Sequence, residues 1–119
     1  NSRKSVEVQV EAIRACADYV DVLPAFMEEP PYIADCYTAT DARHIVMVPF
    51  FIADGLHTVE DIPILLGEPK GRIKERLAEN HPTWRNPTER KGKFLWYTPA
   101  IGTAPHLPEV ILERVREQI

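Results

Sequence analysis

The first third of the chain alternates between an amphipathic segment and a short apolar run. Apolar residues between Val6 and Val20 recur three or four positions apart, with charged side chains on the other face. This spacing predicts a helix with Ser5 as its N-cap. The run that follows, residues 20–27, predicts a strand. Pro24 places that strand at a sheet edge, because proline cannot donate to a hydrogen-bond ladder.

A second apolar run, residues 44–51, is nearly continuous and rich in β-branched side chains. Such a run is typical of a strand covered on both faces in a parallel sheet, so we expect it at the centre of the fold. Residues 94–97 predict the last strand, and residues 81–93 predict a polar loop. Helices are predicted for about 30–38, for 58–67 and for 72–80, and the second of these has Thr58 as its cap and ends at Gly67. A last helix is predicted from Pro108 onward. Its apolar residues, expected to face the core, are Val110, Ile111, Leu112 and Val115.

Strands that alternate with helices predict an α/β layer structure with right-handed crossovers. In such folds the ligand lies at the carboxyl ends of the strands. The three predicted strands are few for a sheet that usually has about four to six. We therefore expect a strand beyond those that the pattern indicates.

Composition narrows the class of protein. The chain has 119 residues, 45% hydrophobic and 27% charged, which suits one domain of ordinary size. Its apolar runs fall short of the roughly 20 residues that span a membrane. The net charge of −4 gives no broad attraction for a nucleic-acid backbone. We therefore expect neither a membrane nor a nucleic acid as partner.

The cysteines and the N-terminus bear on location. Cys16 and Cys36 form no CxxC pair, so we interpret them as reduced thiols of a cytoplasmic protein. No apolar stretch follows the basic start, so no signal peptide is expected. Because the first residue is Asn1 and not methionine, we expect the chain to be a portion of a longer protein.

One histidine stands where α/β proteins bind ligands. His57 follows the predicted buried strand and directly precedes a predicted helix. It is therefore a candidate for binding a metal or another ligand. The position leaves a second interpretation open, in which His57 is a loop histidine that hydrogen-bonds the backbone of the turn.

The segment VPFFIADGLHTVEDIPILLG, residues 48–67, follows Phe26-Met27-Glu28 and precedes Ile101-Gly102. With these flanks it resembles the sirohydrochlorin chelatases of the cobalt and iron type, class II chelatases that insert a divalent metal into a tetrapyrrole without ATP. The resemblance covers essentially the whole chain. It implies one chelatase-like domain over residues 1–119, with a flavodoxin-like parallel sheet of strand order 2-1-3-4 flanked by helices.

In that family the first strand ends in Gly-His-Gly, and its histidine contacts the metal. Asn1 to Ser5 match the entry to the first helix, so the resemblance implies that the first strand is lacking here. Its absence from the middle of the sheet would leave backbone groups of both neighbouring strands unpaired, at about 1 to 3 kcal/mol each if buried. We therefore expect either that another polypeptide segment supplies this strand or that the chain is a portion of a longer enzyme, and we favour the second. A homodimer or a second lobe of the same parent chain would complete the cleft.

The resemblance implies roles for two residues of this chain. His57 matches a histidine that is a metal ligand and catalytic group, and Glu28 matches the glutamate of a Phe-x-Glu motif implicated in catalysis. Imidazole suits Co²⁺, Fe²⁺ and Ni²⁺, and a carboxylate can accept a pyrrole proton. Glu29 is equally suited by its chemistry, and only the motif position selects Glu28. No organic cofactor is implied, because the divalent metal is a substrate, with cobalt favoured.

Other charged residues are weaker candidates. Asp61 belongs to the same motif, and it either interacts with the first-turn amides of its helix or orients the loop that bears His57. Two basic clusters are candidates for holding the carboxylates of the tetrapyrrole, with ordinary solvated side chains as the alternative. The first cluster consists of Lys70, Arg72, Lys74 and Arg76, and the second of Arg90, Lys91 and Lys93. As candidate metal ligands, the remaining histidines rank below His57; they are His44, His81 and His106.

Two functions follow from the resemblance. The first is metal insertion into sirohydrochlorin during cobalamin or sirohaem biosynthesis. The second is a non-catalytic module that binds a tetrapyrrole or a metal and has lost the first histidine ligand.

Overall fold

The computed structural model describes residues 2–16 and 21–118, which form an α/β arrangement. A π-helical segment, His57–Asp61, runs directly into the second α-helix, and two 3₁₀ turns lie at Ile33–Asp35 and Ile101–Thr103. The helices are α1 Ser2–Cys16, α2 Ile62–Leu65, α3 Lys70–Ala78 and α4 Leu107–Gln118, and the strands are β1 His44–Met47, β2 Thr88–Arg90 and β3 Lys93–Tyr97.

The three described strands form a small mixed sheet of order β1-β3-β2. β1 is parallel to β3, with His44 opposite Phe94 and Met47 opposite Tyr97. β2 is antiparallel to β3 and reaches it through a tight turn in which Lys91 and Gly92 both have positive φ. The α/β class and the strands at 44 and 94 are thus confirmed. The strand order 2-1-3-4 and a wholly parallel sheet are not confirmed.

The predicted loop over residues 81–93 is wrong in part, because it contains β2. The sequence Thr88-Glu89-Arg90 has no alternation of apolar and polar residues, so it gives no signal for a strand. In the described sheet β2 pairs on one side only and exposes Glu89. Its hydrogen bonds come from the hairpin with β3 and need no buried apolar face.

The N-terminal predictions require correction. α1 already begins at Ser2, so Ser5 lies inside the helix and is not its cap. The predicted helix end at residues 17–20 lies outside the described part of the chain. The strand predicted for 20–27 is wrong where it is described: Phe26 forms only an isolated bridge with Tyr32. The N–H of Phe26 donates to the carbonyl of Pro31 at 2.8 Å and closes a local loop, so Phe26 pairs locally and Pro24 lies in no strand.

The predicted helix over residues 30–38 is reduced to the single 3₁₀ turn Ile33–Asp35. Ile33 is buried there and donates its backbone N–H to the carbonyl of Phe26, 2.9 Å away. This bond holds the turn against the preceding loop, so the segment is a compact turn and not a regular helix.

β1 is shorter and less covered than its sequence predicts. It ends at Met47, and Val46 and Val48 are 63% and 54% exposed. Ile45 and Met47 pack on the core instead. The expectation of a strand covered on both faces at the centre of the fold is therefore wrong within the described residues, because the core contacts only one face of β1 and β1 lies at the edge of the described sheet.

The core lies between that face of the sheet, α2 and the 3₁₀ turn Ile33–Asp35. Leu66 at the end of α2 and Leu95 in β3 are fully buried. The hydroxyl of Tyr37 donates to the carbonyl oxygen of Leu66 at 2.6 Å and joins the two layers. This packing fixes the position of α2 and therefore of the π-helical segment that precedes it.

A buried carboxylate joins α3 to the β-hairpin. Glu68 has a side chain only 5% exposed and accepts hydrogen bonds from Arg76 at 2.8 Å and from Arg90 at 3.0 Å. Arg76 also donates to the carbonyl of Thr83, and Arg90 donates to that of Leu66. Each guanidinium thus bonds both the carboxylate and the backbone.

α4 differs from its prediction. Val110, Ile111, Leu112 and Val115 were expected to face the core, and each is about half exposed. Their apolar side chains therefore form an uncovered face among the described residues. In the same part of the chain, no helix combines the length and the apolar character needed to cross a membrane.

Candidate functional site

The candidate site lies where β1 and β3 end. Because the two strands are parallel, their carboxyl ends share one edge of the sheet. Backbone bonds continue past the strands, from Thr98 N–H to Met47 O at 3.0 Å and from Gly102 N–H to Phe51 O at 2.9 Å. The segment after β1 is thereby held against the segment after β3, up to the turn that carries His57.

Gly102 permits the closest part of this approach. A Cβ at this position would lie 1.4 Å from the backbone oxygen of Ile52, so any side chain would collide with the main chain. Asp54 Oδ1 adds a further link by accepting the N–H of Ala100 at 3.0 Å. The loop before His57 is therefore fixed to the loop after β3.

The turn that bears His57 is anchored through Thr58. The buried Thr58 hydroxyl accepts the N–H of Gly55 at 2.9 Å and lies 3.2 Å from the carbonyl oxygen of the same residue. The N-cap position belongs to Leu56, so the predicted cap at Thr58 is wrong by two residues. Its hydroxyl still bonds the backbone just before the helix, and His57 lies in the first helical turn.

Tyr97 at the end of β3 supports the same turn. Its hydroxyl donates to the carbonyl oxygen of Thr58 at 2.6 Å. Burial raises the pKa of Tyr97 strongly, with the nearby charge of Asp54 as a smaller cause, so the hydroxyl stays a neutral donor. The side-chain amide of Asn86 pairs with both the N–H and the carbonyl of Tyr97, at 2.7 and 2.9 Å, and holds that strand end in place.

His57 itself is open to solvent. Its side chain is 62% exposed, and Nδ1 lies 2.8 Å from Oδ2 of Asp61, one helical turn further on. The ring of Phe51 packs beside the imidazole with a centroid distance of 5.8 Å. Nε2 has no hydrogen-bond partner among the described residues. The imidazole can therefore offer Nε2 to a metal that approaches from solvent.

Glu28 lies in a separate loop and is exposed. Within residues 2–16 and 21–118 it has no hydrogen bond or ion pair, whereas its neighbour Glu29 pairs with Arg3 at 3.2 Å. Arg3 also donates to the carbonyl of Pro30 at 2.7 Å and lies over the ring of Phe26. The loop is thus tied to α1, and Glu28 remains available to a ligand.

The structure does not join the two predicted site residues. The described residues show no contact between His57 and Glu28, and they include no group of three or more His, Cys, Asp or Glu side chains placed to hold a metal. Of the side chains that the sequence predicts to carry the chemistry, only His57 and Asp61 are in contact within the described ranges. The roles predicted for His57 and Glu28 stay predictions.

The other histidines have different surroundings. His44 begins β1, as expected, and stacks on Phe94 at the open face of the sheet. His81 is exposed in a loop, 4.0 Å from Glu79, and His106 precedes α4. None of these three hydrogen-bonds a carboxylate in the part of the chain that the structure describes.

The basic clusters divide into engaged and exposed members. Arg76 and Arg90 bind Glu68, and Lys93 donates to the carbonyls of Thr40 and Ala42. These side chains have structural partners. The exposed members that remain as candidates for binding carboxylates are Lys70, Arg72, Lys74 and Lys91.

Sequence reasoning missed two residues of the site, Tyr97 and Asn86. The sequence pattern places Tyr97 only in a strand and Asn86 only in a loop. No local pattern indicates their roles, because both contacts depend on the packing of β3 against the turn at Thr58. The contact of Asp61 with His57, in contrast, has a sequence signal in the spacing i, i+4.

The fold and the site define an α/β protein with an exposed, carboxylate-bonded histidine just beyond the carboxyl end of a parallel strand pair. A family model described as CbiX matches residues 1–118. The chain therefore belongs to the CbiX family, as its resemblance to the sirohydrochlorin chelatases implied.

Three relatives agree with this assignment. A Halobacterium salinarum protein named "Probable sirohydrochlorin cobaltochelatase" is 35% identical over 117 residues, which are 98% of this chain and 37% of that protein. The sirohydrochlorin cobaltochelatase of Methanopyrus kandleri is 30% identical over 126 residues, covering 99% of this chain and 87% of that protein. The sirohydrochlorin cobaltochelatase of Methanothermobacter thermautotrophicus is 33% identical over 86 residues, which cover 68% of this chain and 55% of that protein. The chain thus spans little more than a third of the first relative and most of the second.

Proposed function

We propose that this chain takes part in the ATP-independent insertion of a divalent metal into sirohydrochlorin, with cobalt favoured and iron or nickel as other substrates. The observation that carries the proposal is the imidazole of His57, exposed at the carboxyl edge of the sheet with Nδ1 bonded and Nε2 open. Membership in the CbiX family and the names of the three relatives support the substrate class.

The reaction requires a metal ligand and a proton acceptor. The aqueous ion must lose water, and the macrocycle must release two pyrrole protons as the metal binds its nitrogens. In the proposal, His57 Nε2 binds the incoming ion. A single imidazole holds such an ion weakly enough to release it to a macrocycle that binds it better. Glu28, exposed and without an ion partner among the described residues, accepts one pyrrole proton, and the other passes to solvent water.

The proposed site needs a second wall. We propose that residues 1–119 act as one domain beside a second copy of the chain or a second lobe of the same parent protein. The relatives support both arrangements, because the matching segment is most of one protein and little more than a third of another. We place the reaction in cobalamin or sirohaem synthesis and in the cytoplasm, where the free thiols of Cys16 and Cys36 stay reduced.

A non-catalytic function is the second candidate. It is favoured by the absence, among the described residues, of a three-ligand metal cluster and of any contact between His57 and Glu28. On that view the chain binds a tetrapyrrole or a metal and does not insert one. Tight binding of sirohydrochlorin without a Co²⁺-dependent change in its absorbance would support this function over the first.

The proposal is tested by following the absorbance of sirohydrochlorin with Co²⁺ under anaerobic conditions. We expect His57→Ala to reduce insertion to the uncatalysed rate with little change in thermal stability, because the side chain is mostly exposed. His81→Ala, at an exposed loop histidine, is the matched control and should keep the parent rate. Near-parent turnover by His57→Ala would refute the role of His57. Glu28→Gln, compared with Glu29→Gln, tests the proton acceptor in the same assay.

A further inference from the structure

The contact between His57 and Asp61 carries an inference about how the imidazole is presented. The two side chains are one turn apart in the π-helical segment, and Nδ1 lies 2.8 Å from Oδ2. This distance is that of a strong hydrogen bond to a carboxylate. Asp61 makes no other side-chain hydrogen bond or ion pair within the described residues, so its oxygen is directed to His57 alone.

This arrangement distinguishes His57 from the other histidines of the described chain. His81 lies 4.0 Å from the carboxylate of Glu79, beyond hydrogen-bond distance, and His44 lies against the rings of Phe94 and Trp96. Glu60, the neighbour of Asp61 in the same segment, has no such contact among the described residues. The bond therefore reflects the placement of Asp61 and not a general excess of carboxylates near imidazoles.

A carboxylate accepts hydrogen bonds and does not donate them when ionised. It therefore keeps the proton of a neutral imidazole on Nδ1, which leaves the lone pair on Nε2. Phe51 packs beside the ring, and Thr58 and Tyr97 hold the backbone of the turn. The ring is thus restrained on its Nδ1 side and open on its Nε2 side.

We propose that Asp61 is a positioning residue, which fixes the tautomer and the orientation of His57 so that Nε2 meets the substrate metal. The inference rests on the proposed function, in which His57 receives that metal. Partners of this kind on the second nitrogen of a metal-binding histidine change metal affinity by about 10- to 100-fold. Asp61 acts through His57 and does not itself touch the metal.

The test uses three variants of the intact protein with Co²⁺ alone as probe. Asp61→Ala removes the acceptor, and Asp61→Asn keeps a neutral acceptor oxygen of the same reach. Glu60→Ala is the matched control on the same segment. Paramagnetic Co²⁺ broadens the ring resonances of a histidine that binds it, so its affinity for His57 is read by nuclear magnetic resonance. The ¹⁵N shifts of the ring report the tautomer.

We expect Asp61→Ala to weaken Co²⁺ binding at His57 by about tenfold or more and to mix the two tautomers. Asp61→Asn should recover part of both properties, and Glu60→Ala should match the parent protein. In the insertion assay, Asp61→Ala should raise the KM for Co²⁺ and leave that for sirohydrochlorin unchanged.

Two results would overturn the inference, and they are distinguishable. If Asp61→Ala keeps the parent affinity and a single Nδ1–H tautomer while His57→Ala loses Co²⁺ binding and insertion, Asp61 has no positioning role and the proposed function stands. If His57→Ala itself keeps both Co²⁺ binding and metal insertion, the proposed function and the inference fail together. Should Asp61→Ala unfold, the affinity and tautomer of Asp61→Asn decide the question.

Discussion

Gly102 shows how a single residue without a side chain shapes the candidate site. Its Cα lies against the main chain of Ile52, where a Cβ would overlap the carbonyl oxygen at 1.4 Å. The obstacle is backbone, which cannot rotate away as a side chain can. The segments after β1 and β3 therefore depend on this glycine for their contact, and the loop before His57 depends on that contact.

We expect Gly102→Ala to lower the free energy of unfolding by about 1 to 3 kcal/mol, the usual cost of overpacking. Gly71→Ala is the control, because Gly71 lies in α3 with nothing within 4 Å of a Cβ. There alanine should stabilise the helix by up to about 1 kcal/mol. Urea denaturation measures both variants. Equal stability of the two would mean that the loops do not approach each other closely in solution.

The site could be predicted from the sequence only as far as local spacing and motif position reach. His57 follows from its place after a strand, and the spacing of His57 and Asp61 indicates that they are neighbours on a helix. The support from Tyr97 and Asn86 depends on contacts between segments far apart in the chain. Such contacts leave no local pattern, so sequence reasoning did not find them.

At the scale of elements, the ion pairs of Glu68 join α3 to the β-hairpin. Arg76 belongs to α3 and Arg90 to β2, and both share the buried carboxylate. Gly67, beside Glu68, has a φ of 110° and lies directly against the Arg90 side chain. The end of α2, the start of α3 and the hairpin therefore meet at one charged group.

Glu68→Gln should destabilise the protein, because it leaves two arginines without their counter-charge. Breaking a buried ion pair costs about 3 to 5 kcal/mol. We expect about 2 kcal/mol or more here, since each arginine keeps 25% of its side chain exposed and solvent screens part of the loss. Glu75→Gln, on the exposed side of α3, is the control and should change stability by less than about 0.5 kcal/mol. Thermal or urea unfolding measures the stability of both variants. An equal loss of stability in the two would contradict this role.

The elements were predicted best where their own sequence carries the signal. The aromatic run of β3 and the helix-ending Gly67 follow from residue type, and both are confirmed. β2 was missed because a polar edge strand is specified by its partner and not by apolar alternation. The predicted strand at 20–27 is wrong in its described part because its apolar pattern does not reveal the local loop that pairs Phe26 with Tyr32.

At the scale of the whole molecule, the packing is uneven. The radius of gyration is 15.7 Å, larger than the roughly 13.5 Å expected for a compact domain of this length. The fully buried side chains are concentrated in and just after α2, in α3 and in β3, and they include Leu66, Ile73 and Leu95. α4 has no buried residue, although its apolar positions repeat at helical spacing. Its helical fold therefore rests on local bonds more than on tertiary contacts.

This unevenness predicts a gradient of hydrogen exchange. Regions with few buried contacts open at a free energy near zero, whereas core strands open only at the global free energy of unfolding. The amides of α4 should therefore exchange orders of magnitude faster than those of Leu95 and Tyr97.

α3 serves as the internal control, because it is a short polar helix that buries one residue, Ile73, and should be better protected than α4. Exchange followed by mass spectrometry of peptides tests this order. Protection of α4 equal to that of β3 would mean that its apolar face is covered in solution, because local helix bonds alone cannot slow exchange to the rate set by global unfolding.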